Sequence, residues 1–192
     1  MTTEKLGFIG LGTMGLPMSL NLLNAGNDLA IWGRNTHKLK DAVTAGGQLM
    51  GSPRKLGETC EVIFLCVFDS VAVNEVVFGK NGIAKGASKN LMIVDHSSIH
   101  PEHTREMAKK LKKETGASWV DCPVSGGRYG ARDGTLVMMA GGRKKDINRL
   151  RPIVASTSQR LTHMGPVGWG QATKLVNQAV IGAEIAVLAE MF

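Results

Sequence analysis

Residues 6–15 read Leu6-Gly7-Phe8-Ile9-Gly10-Leu11-Gly12-Thr13-Met14-Gly15, an apolar run that leads into a glycine-rich turn. A helical pattern then continues to about Ala25, so the stretch predicts a strand, a turn and a helix. The spacing G-x-G-x-x-G in this setting indicates a dinucleotide site, where the amino end of the helix faces a pyrophosphate. A glycine-rich turn with only a structural role is the weaker interpretation. The predicted cofactor contacts in this turn are Gly10, Leu11, Gly12, Thr13, Met14 and Gly15.

The second predicted strand, residues 28–32, ends without the acidic residue that NAD-specific folds use to bind the ribose 2′-hydroxyl. The sequence there is Trp32-Gly33-Arg34-Asn35-Thr36, with Arg34 close to the expected position of the acid. A guanidinium suits a 2′-phosphate, which a carboxylate would repel. We therefore expect NADP rather than NAD as the cofactor, with contacts from Arg34, Asn35 and Thr36. The alternative is that Arg34 only solvates the end of a loop.

Strand-like and helix-like segments alternate along the chain through residue 121. The predicted helices cover about 36–45 with Thr36 as the cap, 53–59, a segment that starts at 69–70, 101–115, and 145–154. The further predicted strands cover 62–67, 91–94, 118–121 and 136–140. This order predicts an α/β fold with a doubly wound, Rossmann-type, mostly parallel sheet and ligands at the carboxyl ends of its strands. Val67-Phe68 and Ser97-Ser98 follow two of those ends and should line the cofactor cleft.

The composition is that of a soluble globular protein of about one large domain, with 192 residues, 43% hydrophobic and 20% charged. The formal net charge of +7 makes nucleic acid the first partner to consider. The basic residues are scattered over predicted helix faces, however, and one Tyr provides no stacking platform for bases. We therefore expect no nucleic-acid partner and favour a small anionic substrate.

The cysteines, the histidines and the first residues bear on metal binding and compartment. Cys60, Cys66 and Cys122 are odd in number and lack metal-ligand spacing, which favours reduced thiols in a cytosolic protein. The spacing of the histidines matches no metal site, so no metal is expected. The sequence starts without an apolar leader segment, so we expect no signal peptide and a cytoplasmic location.

A proline-bounded loop follows the predicted strand that ends at residue 121, and it reads Cys122-Pro123-Val124-Ser125-Gly126-Gly127. Its free backbone N–H groups can form an anion nest, to which the Ser125 hydroxyl can add a donor for a carboxylate. Ser125 lacks the G-x-S-x-G context and the matching His/Asp pair of a nucleophile. A plain turn is the alternative interpretation.

The stretch Gly165-Pro166-Val167-Gly168-Trp169-Gly170 predicts a loop, and a helix should begin after Gly170. Lys174 is then expected in about the first turn, with Asn177 and Gln178 on the same face at i+3 and i+4. The positive end of the helix dipole disfavours the charged ammonium, which would allow Lys174 to exchange a proton near neutral pH. An ordinary solvated lysine is the alternative interpretation.

These stretches together resemble the β-hydroxyacid dehydrogenase family, which includes 3-hydroxyisobutyrate dehydrogenase, tartronate semialdehyde reductase and the glyoxylate/succinic semialdehyde reductases. The motifs that carry the resemblance lie at residues 7–18, 121–127, 134–142 and 165–178, so it covers the whole chain. A 6-phosphogluconate dehydrogenase would carry His-Asn where this chain has Asn177-Gln178. The Asn-Gln pair is closer to the tartronate semialdehyde or hydroxymethylglutarate branch.

The resemblance implies an NADP-dependent oxidoreductase that interconverts a small 3-hydroxy acid and its semialdehyde, such as 3-hydroxyisobutyrate or tartronate semialdehyde. Lys174 would be the catalytic acid/base, and Asn177, with Gln178 beside it, would orient the substrate. The substrate carboxylate would bind at Ser125, Gly126 and Gly127. By the same analogy the cofactor would contact Val67, Phe68 and Ser98. A dinucleotide-binding module without catalytic activity of its own is the alternative function.

Members of the family continue as a helical domain that this sequence lacks, so a truncated form or fragment is expected. We predict that residues 1–164 form the NADP-binding Rossmann domain and that 165–192 form a glycine loop and the beginning of an interdomain helix. Residues 179–192 are apolar nearly all round, and they are too short and too charged to span a bilayer. We therefore expect no membrane partner, and a homo-oligomer formed through this helix or the missing domain.

Overall fold

A computed structural model of the protein describes residues 4–192. Residues 1–3 lie outside the described residues. The predicted domain 1–164 is therefore described from residue 4 onward. The expectation that the sequence starts without a signal peptide concerns residues that lie partly outside the described ones.

The secondary structure alternates between strands and helices along most of the described chain. The strands are β1 (Leu6–Ile9), β2 (Leu29–Trp32), β3 (Gln48–Leu49), β4 (Val62–Leu65), β5 (Met92–Asp95), β6 (Ser118–Asp121), β7 (Val124–Ser125), β8 (Leu136–Gly141) and β9 (Ser158–Gly165). The helices are α1 (Gly15–Asn24), α2 (Lys40–Thr44), α3 (Pro53–Thr59), α4 (Ser70–Phe78), α5 (Pro101–Thr115), α6 (Gly127–Asp133), α7 (Lys144–Ile153) and α8 (Trp169–Met191).

The first six strands are parallel neighbours in the order β3-β2-β1-β4-β5-β6. β2 and β3 lie on one side of β1, and β4, β5 and β6 lie on the other, so the strand order reverses between β1 and β4. The carboxyl ends of β1 and β4 border a crevice. β8 pairs antiparallel with β6 and with β7, whereas β9 lies parallel to β8. The predicted Rossmann-type, mostly parallel sheet is confirmed, and β7, β8 and β9 add a mixed edge to it.

Helices cover both faces of the sheet. Successive residues of each central strand point to opposite sides, and the apolar side chains on each side pack against those helices. In β1, Leu6 and Phe8 belong to the cluster that includes α1, whereas Ile9 belongs to the cluster that includes α3, α4 and α5. In β4, Phe64 and Leu65 divide between the two clusters in the same way. The short apolar runs of the sequence are therefore strands buried on both faces.

Local predictions succeed where a proline marks the start of a helix and differ from the structure in short or glycine-rich segments. The helices predicted over 53–59 and 101–115 are confirmed as α3 and α5. The helix predicted over 36–45 is a 3₁₀ turn, Thr36–Leu39, followed by α2. Asn35 caps it, not Thr36, because the Asn35 side chain accepts a hydrogen bond from the His37 amide at 3.0 Å. β3 and α6 were not predicted, since β3 has two residues and α6 is rich in glycine.

The amino ends of the central strands are tied to α7 by Arg149. Its guanidinium donates hydrogen bonds to Glu4 at 2.7 Å and to the carbonyl oxygens of Asn90 and Glu61 at 3.1 and 3.4 Å. These bonds join the segments that precede β1, β5 and β4 at the end of the sheet opposite the crevice.

Helix α8 leaves the sheet with most of its surface exposed. Leu175, Val180, Ile185 and Leu188 each expose more than half of their surface. With 23 residues and a mean hydropathy of 1.3, α8 meets the length and composition of a membrane span. The prediction that this segment is too short considered residues 179–192 alone, whereas the continuous helix starts at Trp169. Core helices of soluble proteins meet the same criterion, so it does not identify a membrane span.

Candidate dinucleotide and substrate site

The turn after β1 is shaped by its three motif glycines. Gly10 has a φ of +95°, and a Cβ atom there would lie 2.2 Å from the Cys66 carbonyl oxygen. A Cβ atom on Gly15 would lie 2.0 Å from the Gly10 carbonyl oxygen. Gly12 differs, because no described atom outside Gly12 and its two chain neighbours lies within 4 Å of its Cβ position. The turn is therefore closed at Gly10 and Gly15 and open at Gly12.

The open side of this turn borders a cleft of about 740 Å³. The cleft lies where the strand order reverses, which is the position at which doubly wound sheets bind ligands. The predicted cofactor residues that line it are Gly10, Leu11, Gly12, Thr13, Met14, Gly15, Arg34, Asn35, Val67 and Phe68. The volume of the cleft and the open backbone at Gly12 fit a dinucleotide.

The part of the cleft that follows β2 is positively charged. Arg34 and Lys38 both line it, and no acidic residue occurs between positions 33 and 38. The only carboxylate among the described lining residues is that of Glu75 in α4. The predicted contacts Thr36 and Ser98 do not line the cleft.

One wall of the cleft is held in place by Ser97, which follows β5. The Ser97 hydroxyl accepts a hydrogen bond from the Val67 amide at 3.0 Å, and the Ser97 amide donates to Asp95 Oδ1 at 3.0 Å. The Ser97 carbonyl oxygen accepts a hydrogen bond from Gln171 Nε2 at 2.6 Å. Ser97 therefore connects the loop after β4 to helix α8.

Two ionisable side chains are buried beside Ser97. Burial raises the pKa of the Asp95 carboxyl to about 7, and Asp95 Oδ2 has no hydrogen-bond partner within residues 4–192. Burial lowers the pKa of His96 to about 4, and its Nδ1 lies 2.6 Å from the Cys122 carbonyl oxygen. The His96 ring also stacks on Phe64, with 5.6 Å between the ring centroids. Below pH 7 and above pH 4 both groups are predominantly neutral, as a dry interior requires.

The loop predicted to bind a carboxylate contains two consecutive glycines in unusual conformations. Gly126 and Gly127 have φ values of +125° and +59°, which favour glycine. Apart from Gly127, its chain neighbours and the adjacent backbone of α6, no described atom lies within 4 Å of the Cβ position of Gly127. Ser125 ends β7 and is half-buried. The loop thus presents open backbone beside a hydroxyl, as a small anion site requires.

Asp121, the last residue of β6, binds the amino end of α8. Its Oδ1 accepts a hydrogen bond from the Gly168 amide at 2.7 Å, and its Oδ2 accepts one from the Gln171 amide at 2.9 Å. Gly168 is the N-cap residue and has no side chain that could satisfy these N–H groups. A carboxylate supplied by the sheet therefore caps α8, and its charge is favourable at this end of the helix dipole.

Lys174 is the sixth residue of α8 and lies in its second turn, not in the predicted first turn. The difference arises because α8 begins at Trp169, where Asp121 supplies the cap. Burial lowers the pKa of the Lys174 ammonium. Asn177 and Gln178 follow at i+3 and i+4 on the same face. Asn177 Oδ1 is buried and has no hydrogen-bond partner in the described part of the chain.

Residues 5–165 match the family described as the NAD binding domain of 6-phosphogluconate dehydrogenase. The chain belongs to this family. This family match supports a nicotinamide dinucleotide as the cofactor.

Among its relatives, 2-hydroxy-3-oxopropionate reductase of Escherichia coli (strain K12) is 38% identical over 97% of this chain and 63% of that protein. The structure is similar to that of Mycobacterium tuberculosis 3-hydroxyisobutyrate dehydrogenase with L-serine, with a TM-score of 0.92, 28% identity, and coverage of 100% of this chain and 64% of that chain. It is also similar to Psf3 in complex with NADP+ and 2-OPP, with a TM-score of 0.88, 27% identity, and coverage of 96% and 66%. The predicted family resemblance is confirmed, and the chain spans less than two thirds of the length of these proteins.

The structure places most of the predicted site residues in three groups. The cofactor residues named above line the cleft, Ser125, Gly126 and Gly127 lie at the end of β7 and the start of α6, and Lys174, Asn177 and Gln178 lie on α8. Asp121, which precedes the Ser125 loop, binds the amino end of α8. Sequence reasoning missed Lys38, Asp121 and Gln171. The signal for Lys38 is its position four residues after Arg34. For Asp121 and Gln171 the signal is polarity at positions where a strand end and a helix start should be buried.

Proposed function

We propose that the protein is an NADP-dependent oxidoreductase that interconverts a small 3-hydroxy acid and its semialdehyde. The observation that carries this proposal is the face of α8 on which half-buried Lys174 and the buried Oδ1 of Asn177 lie one turn apart. Among the described residues, Asn177 Oδ1 has no hydrogen-bond partner. A proton donor and an acceptor so arranged suit a substrate oxygen that changes between carbonyl and hydroxyl. The relatives named for 2-hydroxy-3-oxopropionate and 3-hydroxyisobutyrate support the same substrate class.

The dinucleotide, when bound, supplies or accepts the hydride. In the reductive direction the Lys174 ammonium donates a proton to the carbonyl oxygen, and in the oxidative direction the neutral amine accepts the hydroxyl proton. Burial supports both directions because it lowers the pKa of Lys174 toward neutrality. Asn177 Oδ1 accepts a hydrogen bond from the hydroxyl, and the Ser125 hydroxyl with the backbone of Gly126 and Gly127 binds the carboxylate. Gln178, one residue on from Asn177, borders the substrate.

The proposed preference for NADP depends on Arg34 and Lys38, which line the cleft after β2. Their charges favour a 2′-phosphate, and the sequence there offers no carboxylate to bind a 2′-hydroxyl. Psf3, a structural relative, contains NADP+, which also supports this preference. Asn35 lines the same part of the cleft, but its side chain oxygen is engaged by the His37 amide. Thr36 and Ser98 remain proposed contacts from the family pattern alone.

The test of the proposed function is turnover of C3 and C4 semialdehydes with NADPH and NADH. Lys174→Ala is expected to lower kcat by about 10²- to 10⁴-fold, the usual contribution of a general acid. The Kd for NADPH should stay within about twofold, because Lys174 does not line the cleft. Normal turnover of Lys174→Ala would exclude its role in proton transfer.

A dinucleotide-binding module without turnover of its own is the second candidate. The exposed apolar surface of α8 favours it. Assays of the 192-residue chain and of a longer form with a helical domain separate the two candidates. NADPH binding without turnover in the shorter form alone supports the module. A homo-oligomer formed through α8 and a cytoplasmic location complete the proposal.

A further inference from the structure

We propose that Asp121 and Gln171 are positioning residues that hold Lys174 in a fixed relation to the cofactor cleft. The inference rests on the proton-transfer role proposed above for Lys174. Asp121 and Gln171 act through the backbone of α8 and through the loop that follows β5. Neither has to touch the substrate.

Asp121 fixes where α8 begins and how far it can slide along its axis. Both oxygens of its carboxylate are used, one by the Gly168 amide at 2.7 Å and one by the Gln171 amide at 2.9 Å. The side chain is fully buried, and burial raises the pKa of Asp121 while the backbone N–H groups of α8 oppose that increase. A bidentate acceptor at the first turn leaves the helix with one axial position.

Gln171 fixes the rotation of α8 about its axis. The side chain is 2% exposed, and both of its polar atoms are paired with the loop after β5. Its Oε1 accepts a hydrogen bond from the Ile99 amide at 3.2 Å, and its Nε2 donates to the Ser97 carbonyl oxygen at 2.6 Å. Lys174 lies three residues farther along, so the two side chains share a face of the helix. A rotation of α8 about its axis would break the two hydrogen bonds of the Gln171 side chain. It would also move the Lys174 side chain away from its present position relative to the cofactor cleft.

The same loop reaches the wall of the cleft, which completes the connection. The Ser97 hydroxyl accepts a hydrogen bond from the amide of Val67, and Val67 lines the cleft. A continuous path therefore runs from Val67 through Ser97 and Gln171 to the backbone of α8.

Close backbone contact makes the junction stiff. A Cβ atom on Gly170 would lie 2.4 Å from the Met139 carbonyl oxygen and 2.7 Å from that of Asp121. The first turn of α8 therefore lies against β8 and β6 with no room for a side chain. Small displacements of catalytic groups are costly, since a misplacement of about 1 Å can lower a rate by about 10²-fold.

The test compares Asp121→Asn and Gln171→Met with Arg149→Met, all in the full chain. Asp121→Asn replaces one acceptor oxygen with an NH₂ group, and Gln171→Met removes both side-chain hydrogen bonds at similar volume. Arg149→Met removes a comparable set of hydrogen bonds at the opposite end of the sheet, so it controls for a general loss of stability. The probes are 2-hydroxy-3-oxopropionate with NADPH for turnover, and an NMR titration of ¹³C-labelled lysine for the pKa of Lys174.

Both test variants should lower kcat by about tenfold or more, with the KM for NADPH within about twofold. They should also raise the pKa of Lys174 toward the ordinary lysine value of 10.5, because a loosened helix lets the amine reach water. Arg149→Met should lower Tm without changing kcat or this pKa. If Asp121→Asn and Gln171→Met change only Tm, or if neither folds, the two residues are structural and the inference is wrong.

The lysine titration keeps this inference separate from the proposed function. If the wild-type chain binds NADPH but shows no turnover, the proposed activity fails for this chain. The pKa of Lys174 in the three variants then still decides whether Asp121 and Gln171 position it.

Discussion

At the scale of single residues, the cleft after β2 links cofactor preference to two side chains. Arg34→Ala is expected to weaken NADPH binding by about 10- to 100-fold, because it removes charge-assisted hydrogen bonds to the 2′-phosphate. Lys38→Ala should weaken it less, since an ammonium binds phosphate as a point charge. Binding of NADH should change by less than about threefold in both variants. Fluorescence titration with the two reduced dinucleotides measures these ratios.

Lys80→Ala is the matched control, because Lys80 lines the same cleft but follows α4 and not β2. It should affect NADPH and NADH alike. Equal losses for both cofactors in Arg34→Ala would contradict the assignment of Arg34 to the 2′-phosphate.

Asp95 predicts a pH-dependent contribution to stability. Its pKa is about 7 in the folded protein, against an ordinary value of 3.8, so between these values the native state holds a proton that the unfolded chain releases. The contribution of Asp95 is therefore fully present below pH 3.8 and is lost as the pH rises through about 7. Asp95→Asn, which stays neutral, should gain about 2 kcal/mol relative to the wild type between pH 5 and pH 7. Urea denaturation at both pH values measures the difference.

The neighbours of Asp95 do not reverse this expectation. Asp121, Cys66 and Cys122 interact electrostatically with it, and His96 follows it in sequence. His96 titrates in the opposite sense, because burial lowers its pKa, but it is present in both proteins and cancels in the comparison. A stability difference that does not depend on pH would mean that Asp95 is ionised in the fold.

The sequence was sufficient to identify residues whose role follows from their own type and local spacing. It was not sufficient for residues whose role depends on a hydrogen-bond partner far away in the chain. Arg34 stands out because a basic residue replaces an expected acid, and the Gly10–Gly15 turn has a fixed spacing. Asp121 looks like any acid at a strand end until the Gly168 amide is brought to it across 47 residues. The origin of the lowered Lys174 pKa could not be predicted either, because burial depends on packing that no local pattern encodes.

At the scale of elements, the turn between β1 and α1 contains glycines with two different roles, one in folding and one in cofactor binding. Gly12→Ala should leave the free energy of unfolding within about 1 kcal/mol, because its Cβ position is open. The same methyl group occupies the space offered to the dinucleotide, so NADPH affinity should fall by about tenfold or more. Thermal denaturation and fluorescence titration provide the two measurements.

Gly10→Ala is the counterpart at the closed side of the turn. A Cβ there would lie 2.2 Å from a carbonyl oxygen at a φ of +95°, so the variant should lose about 2–4 kcal/mol of stability. If Gly12→Ala were as destabilised as Gly10→Ala, or bound NADPH normally, Gly12 would not face the cofactor.

The elements that the sequence predicted well have strong local signals. α3 and α5 begin at prolines, and α5 ends at Gly116 with a φ of +78°, so both their starts and this end are encoded nearby. β3 exists only because it pairs with β2, and α6 forms despite two glycines because it packs on α1 and β8. The start of α8 was misplaced because its cap comes from β6.

At the scale of the whole molecule, the exposed apolar surface of α8 predicts self-association. Replacing Ile185 and Leu188, which are 62% and 53% exposed, with Gln should shift the chain toward monomer and leave NADPH affinity unchanged. Sedimentation velocity of the two forms at micromolar concentration is the measurement. The matched control replaces Val43 and Leu49, which are 44% and 51% exposed, and it should not change the association state. A wild-type chain that sediments as a monomer would remove the basis for an oligomer formed through α8.

The strand order also determines how the chain can fold. β1 is synthesised before β2 and β4 and lies between them, so it stays unpaired on one side until β4 has been made. The bond between Glu4 and Arg149 joins residues 145 positions apart. Such long-range parallel pairing gives a high contact order, which slows folding and leaves strand edges exposed in the meantime. The protein should therefore refold slowly for its size, and the nascent chain should depend on chaperones before its last strands emerge.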